Sequence, residues 1–321
     1  MNSSIKNYIA IARPDHWVKH VFILPGIFLA MVIHDVGLIK VLPALFIGLP
    51  SAFFIASGNY VINEWLDRSF DRFHPTKKNR PAAAGLLAAQ WVYWEYVVLI
   101  TMGMGLAYWV SPVFFVAAVC FVISGFLYNV PPLRLKEKVY IDVLTESLNN
   151  PIRLTMGWGI VSYHALPPAS LMILFWFSGA FLMTVKRFAE YRYIVKQGKL
   201  DALKEYRESF KFYTEDTLLV LSFLYAILSS FFIASFLIKY RIEFLFSFPF
   251  IALLFTYYLA IGLREGSIAQ SPEKLHKDKG LLFIVFLAVS SLVLFSFWDI
   301  SLARWILESH PGVIFFGDSI P

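Results

Sequence analysis

Long runs without a single Asp, Glu, Lys or Arg alternate along the chain with short stretches where charges crowd together. Val41 to Asn63, Pro167 to Val185, Thr217 to Ile238 and Gly280 to Trp298 are such runs, each close to the ~20 apolar residues with which a helix crosses bilayer hydrocarbon. Hydropathy and loop signals together predict about nine membrane helices, near 20–36, 41–65, 91–110, 112–128, 140–162, 167–190, 216–239, 243–263 and 280–298. No low-complexity tract and no linker long enough to part soluble domains interrupts them. The expectation is one all-α integral membrane domain over residues 1–321.

The charges add an orientation. With the loops assigned alternately to two sides, all of the 28 Lys and Arg except Lys40, Lys239, Arg241, Arg304 and Arg153 gather on the side of the N-terminus. Arg153 is left within a span. The asymmetry predicts a cytoplasmic N-terminus, an external C-terminus and polar substrates handled at the cytoplasmic face. A composition 58% hydrophobic and 16% charged excludes a water-soluble domain of this size. The net charge of +6 is then spent on topology, and nucleic acid is not an expected partner. The first thirteen residues show no short apolar core before a small-residue cleavage site, so insertion is expected from the mature helices. The single cysteine, Cys120, lies in an apolar run and reads as a small core residue.

Two helices carry the candidate chemistry. The second ends in Asn63-Glu64-Trp65-Leu66-Asp67-Arg68-Ser69-Phe70-Asp71, where Asn63, Asp67 and Asp71 at i, i+4 and i+8 stack on one face. Acids so arranged at a membrane boundary repel unless a cation neutralises them. Hard oxygen ligands suit Mg²⁺, which is commonly held by one or two carboxylates together with substrate phosphates. A solvated acidic helix end is the plainer alternative. Next comes a basic loop, Arg72 to Pro81, in which Lys77, Lys78 and Arg80 could grip diphosphate oxygens or could serve as a positive-inside anchor. The fifth helix presents Asp142, Glu146, Asn149, Asn150 and Arg153 as one polar stripe, which in a bilayer must face a cavity or other polar groups. Just before it, Tyr128 to Lys136 forms a Pro-Pro turn with further cations and a phenol.

These motifs resemble those of the UbiA prenyltransferase superfamily. Asn63-Glu64-x-x-Asp67-x-x-x-Asp71 is similar to its first aspartate-rich motif, NDxxDxxxD, and Asp142-x-x-x-Glu146 to its second, DxxxD. Arg13-Pro14-x-x-Trp17-x-Lys19 resembles the family's opening, Arg80-Pro81 through Gly85 its continuation, and Tyr128 to Lys136 its YxxxPLRLK-like loop. Glu64 and Glu146 stand where aspartates are commoner. Within the superfamily, Arg13 to Lys19, His74 to Lys77, Lys186 to Glu190 and Ser271 to Glu273 with Asp278 resemble the polyprenyl-phosphate phosphoribosyltransferase branch. The stretch Thr145 to Pro151 departs from it.

The resemblance implies nine helices around a central cavity, Mg²⁺ ions, a diphosphate leaving group and an isoprenoid lipid lying among the helices. It implies Asp67, Asp71, Asp142 and Glu146 as catalytic metal ligands, with Asn63 bound to an ion directly or through water. Lys77, Arg80, Lys136, Lys186 and Arg187 are the expected diphosphate contacts. Lys19, Asn59, Tyr128, Asn149, Asn150, Arg153 and Glu190 complete the candidate substrate-binding set, although Glu190 one turn after Lys186 is equally a helix-stabilising pair. The segment Tyr191 to Lys211 reads mainly as a cytoplasmic cap. Three activities compete: phosphoribosyl transfer to a polyprenyl phosphate, prenyl transfer to an aromatic acceptor, and transport. The crowding of charge at one face argues against transport.

Overall fold

The computed structural model describes residues 3–73, 77–198, 207–240, 242–270 and 272–298. Expectations resting on His74 to Thr76, Arg241, Ser271, Arg304, the C-terminus and the Lys19 side chain lie outside the described residues. All regular structure among the described residues is helical. In chain order the α-helices are α1 (Ser3–Ile11), α2 (Leu24–His34), α3 (Leu38–Asp71), α4 (Ala89–Tyr108), α5 (Pro112–Asn129), α6 (Ile141–Ser147), α7 (Asn149–Val161), α8 (Ala169–Lys196), α9 (Glu215–Tyr240), α10 (Phe248–Leu263) and α11 (Lys279–Phe297).

Six helical spans, Leu38–Asp71, Pro112–Asn129, Ala169–Lys196, Glu215–Tyr240, Ile242–Leu263 and Lys279–Phe297, are long and apolar enough to cross a membrane, and the bent pair Ile5–Trp17 and His20–His34 would make a seventh. The expected nine is therefore not reached by length and apolarity. α4 dilutes its aliphatic residues with Trp91, Trp94, Gln90 and Glu95. The expected helix over 140–162 is divided at Leu148 into α6 and α7. Pro151 supplies the reason: it has no N–H to give the Ser147 carbonyl, and its ring crowds the preceding turn.

α3 is longer than its apolar run predicts, at 34 residues, or about 51 Å at ~1.5 Å per residue. Bilayer hydrocarbon is only ~30 Å thick, so α3 is about 20 Å longer than one crossing needs, and it stays helical through its charged Asn63–Asp71 end, the end expected to project. α7 is the wedge of the fold. Ile152, Met156 and Ile160 pack with Ile55 of α3 and with Phe114 and Phe121 of α5. Leu154 and Trp158, on its other side, pack with Leu171 and Leu174 of α8, Phe236 of α9 and Ile251 of α10. Close approach to α2 depends on two glycines: a Cβ on Gly26 would stand 2.1 Å from the Leu154 carbonyl oxygen, and one on Gly157 2.1 Å from that of Ile23. Such small-residue contacts are how helices pack where lipid removes the hydrophobic drive. Cys120 is exposed on α5 rather than buried in the core.

Candidate active site

Three acids on the projecting end of α3 each meet a cation brought from another part of the chain. Glu64, 1% exposed, accepts from Arg13 Nε at 3.2 Å and Nη2 at 2.7 Å, so the longer side chain at this motif position turns to the N-terminal segment. Asp67 accepts from Arg134 Nη2 at 2.8 Å and from Lys136 Nζ. Asp71 accepts from Arg80 Nη1 at 2.6 Å, which brings the basic loop back onto the ladder. The Asn63 side chain has no hydrogen-bond partner among the described residues.

The turn after α5 positions two of these cations. Arg134 and Tyr140 both have positive φ, 32° and 66°, a conformation that costs a non-glycine residue about 1–2 kcal/mol. Contacts hold Arg134 there: Asp67, Glu137 Oε1 at 3.2 Å, and the Phe70 ring 4.6 Å below its guanidinium. Lys136 is 2% exposed and also donates to Asn129 Oδ1 at 2.9 Å. Burial pushes its ammonium down to about 8 against the opposing pull of Asp67.

α6 brings the second pair of acids. Glu146 accepts from Arg187 Nη2 at 2.8 Å and from the Tyr128 hydroxyl at 2.9 Å, and Lys186 Nζ lies 3.8 Å away. Asp142 is fully buried, with its oxygens taken by the Tyr213 hydroxyl at 2.6 Å, Ser209 Oγ at 3.3 Å and Arg187 Nε at 3.4 Å. Of the two acids, only Glu146 keeps an accessible side chain. Arg187 also lies 3.7 Å from Glu190.

Between the acidic helices lies a residue that the sequence motifs do not single out. Arg207 donates to the Tyr128 hydroxyl at 2.7 Å, and its charge acts on Asp67, Asp142, Glu146 and Glu190. Burial opposes its charge, but Tyr128 and those carboxylates raise the guanidinium well above its ordinary value. Tyr128 thus accepts from Arg207 and donates to Glu146, joining both halves of the site. The described part of Tyr191 to Lys211 is accordingly more than a cap, because Arg207 to Tyr213 folds inward. Arg207 follows a mixed-charge stretch with no spacing to mark it.

The remaining candidates separate by depth. Lys77 stands close enough to Asp71, Glu190 and Lys186 to feel their charges, and burial pushes it down to about 7. Asn149 accepts from Ser124 Oγ at 3.1 Å and donates to the Glu146 carbonyl. Asn150 is buried against Gly179. Asn59 and Arg153 lie further in, around Phe121. Among the described residues no three His, Cys, Asp or Glu side chains cluster tightly enough to hold an ion by themselves, because the acids are drawn apart onto cations. A shallow cleft at the ends of α8 and α10, bordered by Arg192, Lys196, Arg264 and Glu265, contains none of these acids.

A family model described as the UbiA prenyltransferase family matches residues 22–277. The chain belongs to the UbiA prenyltransferase family. As a UbiA member it is an integral membrane protein, and solved structures agree on the fold. A UbiA homolog from Archaeoglobus fulgidus bound to DMAPP and Mg²⁺ superimposes with a TM-score of 0.67 at 20% identity, over 91% of this chain and 100% of the other. Among curated relatives, a protoheme IX farnesyltransferase of Geobacillus sp. is 27% identical over 172 residues, 52% of this chain and 55% of the relative. A decaprenyl-phosphate phosphoribosyltransferase of Mycobacterium tuberculosis is 27% identical over 209 residues, 64% and 66% of the two chains. The match thus spans between about half and two thirds of the length of these curated relatives.

Proposed function

We propose that this UbiA-family chain is a Mg²⁺-dependent membrane transferase that expels diphosphate from its donor and joins the remaining group to an isoprenoid lipid. The reading we favour is phosphoribosyl transfer from phosphoribosyl diphosphate to a polyprenyl phosphate. One observation carries the diphosphate assignment: five cationic side chains from three parts of the chain, Arg134 with Lys136, Lys186 with Arg187, and Arg207, converge around Asp67 and Glu146, the two partly accessible acids. A polyanion bearing its own cations completes such a site, whereas a neutral substrate leaves it uncompensated.

The donor set suits Mg²⁺: Asn63, Asp67, Asp71 and Glu146 offer hard oxygens at the ends of two helices. A bound ion would neutralise charge developing on the leaving oxygen and fix the diphosphate's orientation. Arg80, Lys77, Lys136, Lys186 and Arg207 hold the non-bridging oxygens, releasing their present carboxylate partners as they do so. Arg187 bridges Asp142 and Glu146 and sets the angle of the second acid. Asp142, its oxygens already engaged, positions Arg187 and the Ser209–Tyr213 turn. The charged face is assigned to the cytoplasm and residues 1–321 to one domain.

Prenyl transfer to a non-phosphate acceptor is the second reading, supported by the farnesyltransferase relative. Purified protein in lipid nanodiscs with Mg²⁺ separates the two. One mixture offers polyprenyl phosphate with phosphoribosyl diphosphate, the other farnesyl diphosphate with aromatic or porphyrin acceptors, and lipid products are read by mass. A phosphoribosylated lipid in the first mixture alone is expected. Asp67→Asn, which keeps the shape of the side chain, should lower turnover by about 100-fold or more. Turnover within a few-fold of the parent would remove the metal role.

A further inference from the structure

Deep to the carboxylates, α7 carries a cation that no acid pairs with among the described residues, although the charge of Glu146 and the Tyr60 hydroxyl both reach it. Arg153 is 8% exposed, and among the described residues it forms no ion pair. Its Nε is buried without a hydrogen-bond partner, and the guanidinium lies 5.0 Å from the centre of the Phe121 ring. Seven residues past Glu146, it lies about 10 Å further along the chain's helical path, within the apolar part of the fold. A guanidinium without a direct ion-pair partner in that position is expensive, and charged groups at membrane depth mark functional sites.

Arg153 is not alone in lacking a partner. His20, 4% exposed, has both ring nitrogens buried and unbonded; it packs edgewise on Phe53, within reach of the Arg153 charge. Asn59 donates to the Phe121 carbonyl at 3.1 Å, while its Oδ1 is buried with nothing bonded to it. The three groups come from the 3-10 segment before α2, from α3 and from α7. They offer a forked cation, an imidazole and a carbonyl acceptor. A guanidinium fork matches the paired oxygens of a carboxylate or phosphate. The imidazole and the Asn59 oxygen suit a hydroxyl or a protonated oxygen beside that anion.

We propose that Arg153, with His20 and Asn59, seats the oxyanion of the acceptor substrate, a phosphomonoester or carboxylate group that enters from the apolar side of the donor's diphosphate. The proposal rests on the α3–α6 cluster being the donor site, because that assignment leaves the deeper cation for the second substrate. It adds a place where the acceptor's charge is read.

Binding to full-length protein in nanodiscs tests it without turnover. Farnesyl monophosphate is compared with farnesol, and 4-hydroxybenzoate with phenol. In at least one pair the anion should bind about tenfold or more tightly than its neutral counterpart, as expected for a charge-assisted contact. Arg153→Met should abolish that preference, and Arg153→Lys should keep part of it. A preference confined to the phosphate pair assigns a lipid phosphate acceptor, and one confined to the carboxylate pair an aromatic acid; both support the seat. Equal binding of anion and neutral partner in both pairs overturns it, as does a preference that survives in folded Arg153→Met. Folding of the variants is checked by monodisperse elution and by retained binding of inorganic diphosphate with Mg²⁺. Should Arg153→Met fail that check, Arg153→Lys decides, and an unchanged preference in His20→Leu together with Asn59→Leu overturns the proposal. Asp67→Asn should lose Mg²⁺-diphosphate binding yet keep the anion preference, so failure of the donor site reads differently from failure of the seat.

Discussion

Arg207 and Lys77 define what single side chains contribute. Arg207 reaches Tyr128 directly and acts on acids of both halves of the site, so Arg207→Ala should lower turnover by roughly 100-fold with the fold retained, the scale of losing one preorganised charge. Steady-state assays beside a thermal melt check it. Lys77 gives a pH signature. With burial holding it near 7 in the ligand-free protein, part of the population is neutral at physiological pH, and an arriving diphosphate favours the protonated form. Diphosphate affinity should therefore be fullest below pH 7 and fade as pH rises through the higher value of the bound state. Calorimetry in buffers of differing ionisation enthalpy should show proton uptake on binding, and Lys77→Met should remove it. At this scale the sequence is only partly legible. Asn63, Asp67 and Asp71 follow from helical spacing alone, but the pairing around them does not, since Arg13 reaches Glu64, Arg134 reaches Asp67 and Arg207 reaches Tyr128 across separations of 51, 67 and 79 residues, helped by two positive-φ positions.

The division at Leu148 governs what whole elements do. The interruption is local, since Leu148 keeps right-handed helical angles (φ −58°, ψ −24°) and its N–H still reaches the Leu144 carbonyl at 3.1 Å, while α6 packs on α8 and the turn before it and α7 wedges between the two halves. Pro151→Ala should let the helix continue, raising or preserving thermal stability by up to about 3 kcal/mol. It should also cut turnover by about tenfold or more, because re-aiming Glu146 by an ångström is costly. A melt and a rate measured on the same preparation test the pairing, and unchanged kinetics would show that the break is incidental. The sequence does contain this signal. A proline shortly past Ser147 within an expected helix marks an interruption, but the polar stripe conceals it because its spacing suits a helix on either side of the break.

Across the whole molecule, the apolar runs by themselves announce a helical membrane protein, and the family match and shared fold agree. The span count is less legible, since α4 is rich in Trp and Tyr and α6–α7 is polar, so neither passes for lipid-facing bulk. Charge asymmetry predicts the orientation. A reporter fused after Arg80 should be active in the cytoplasm, and one inserted at Ser111 in the opposite compartment. The reversed pattern would move the site to the other face.

The length of α3 offers a way for the proposed substrates of unlike solubility to meet. A helix that outruns the hydrocarbon by about 20 Å carries its acids to the depth where lipid headgroups and water mix, with its remaining turns still rooted among the acyl chains. A greasy tail can therefore stay dissolved in its own leaflet while only its polar tip is processed, and a water-soluble donor need not enter the oily phase. On the proposed reading, a lipid substrate need not be extracted, because its headgroup is met at the depth where it already floats.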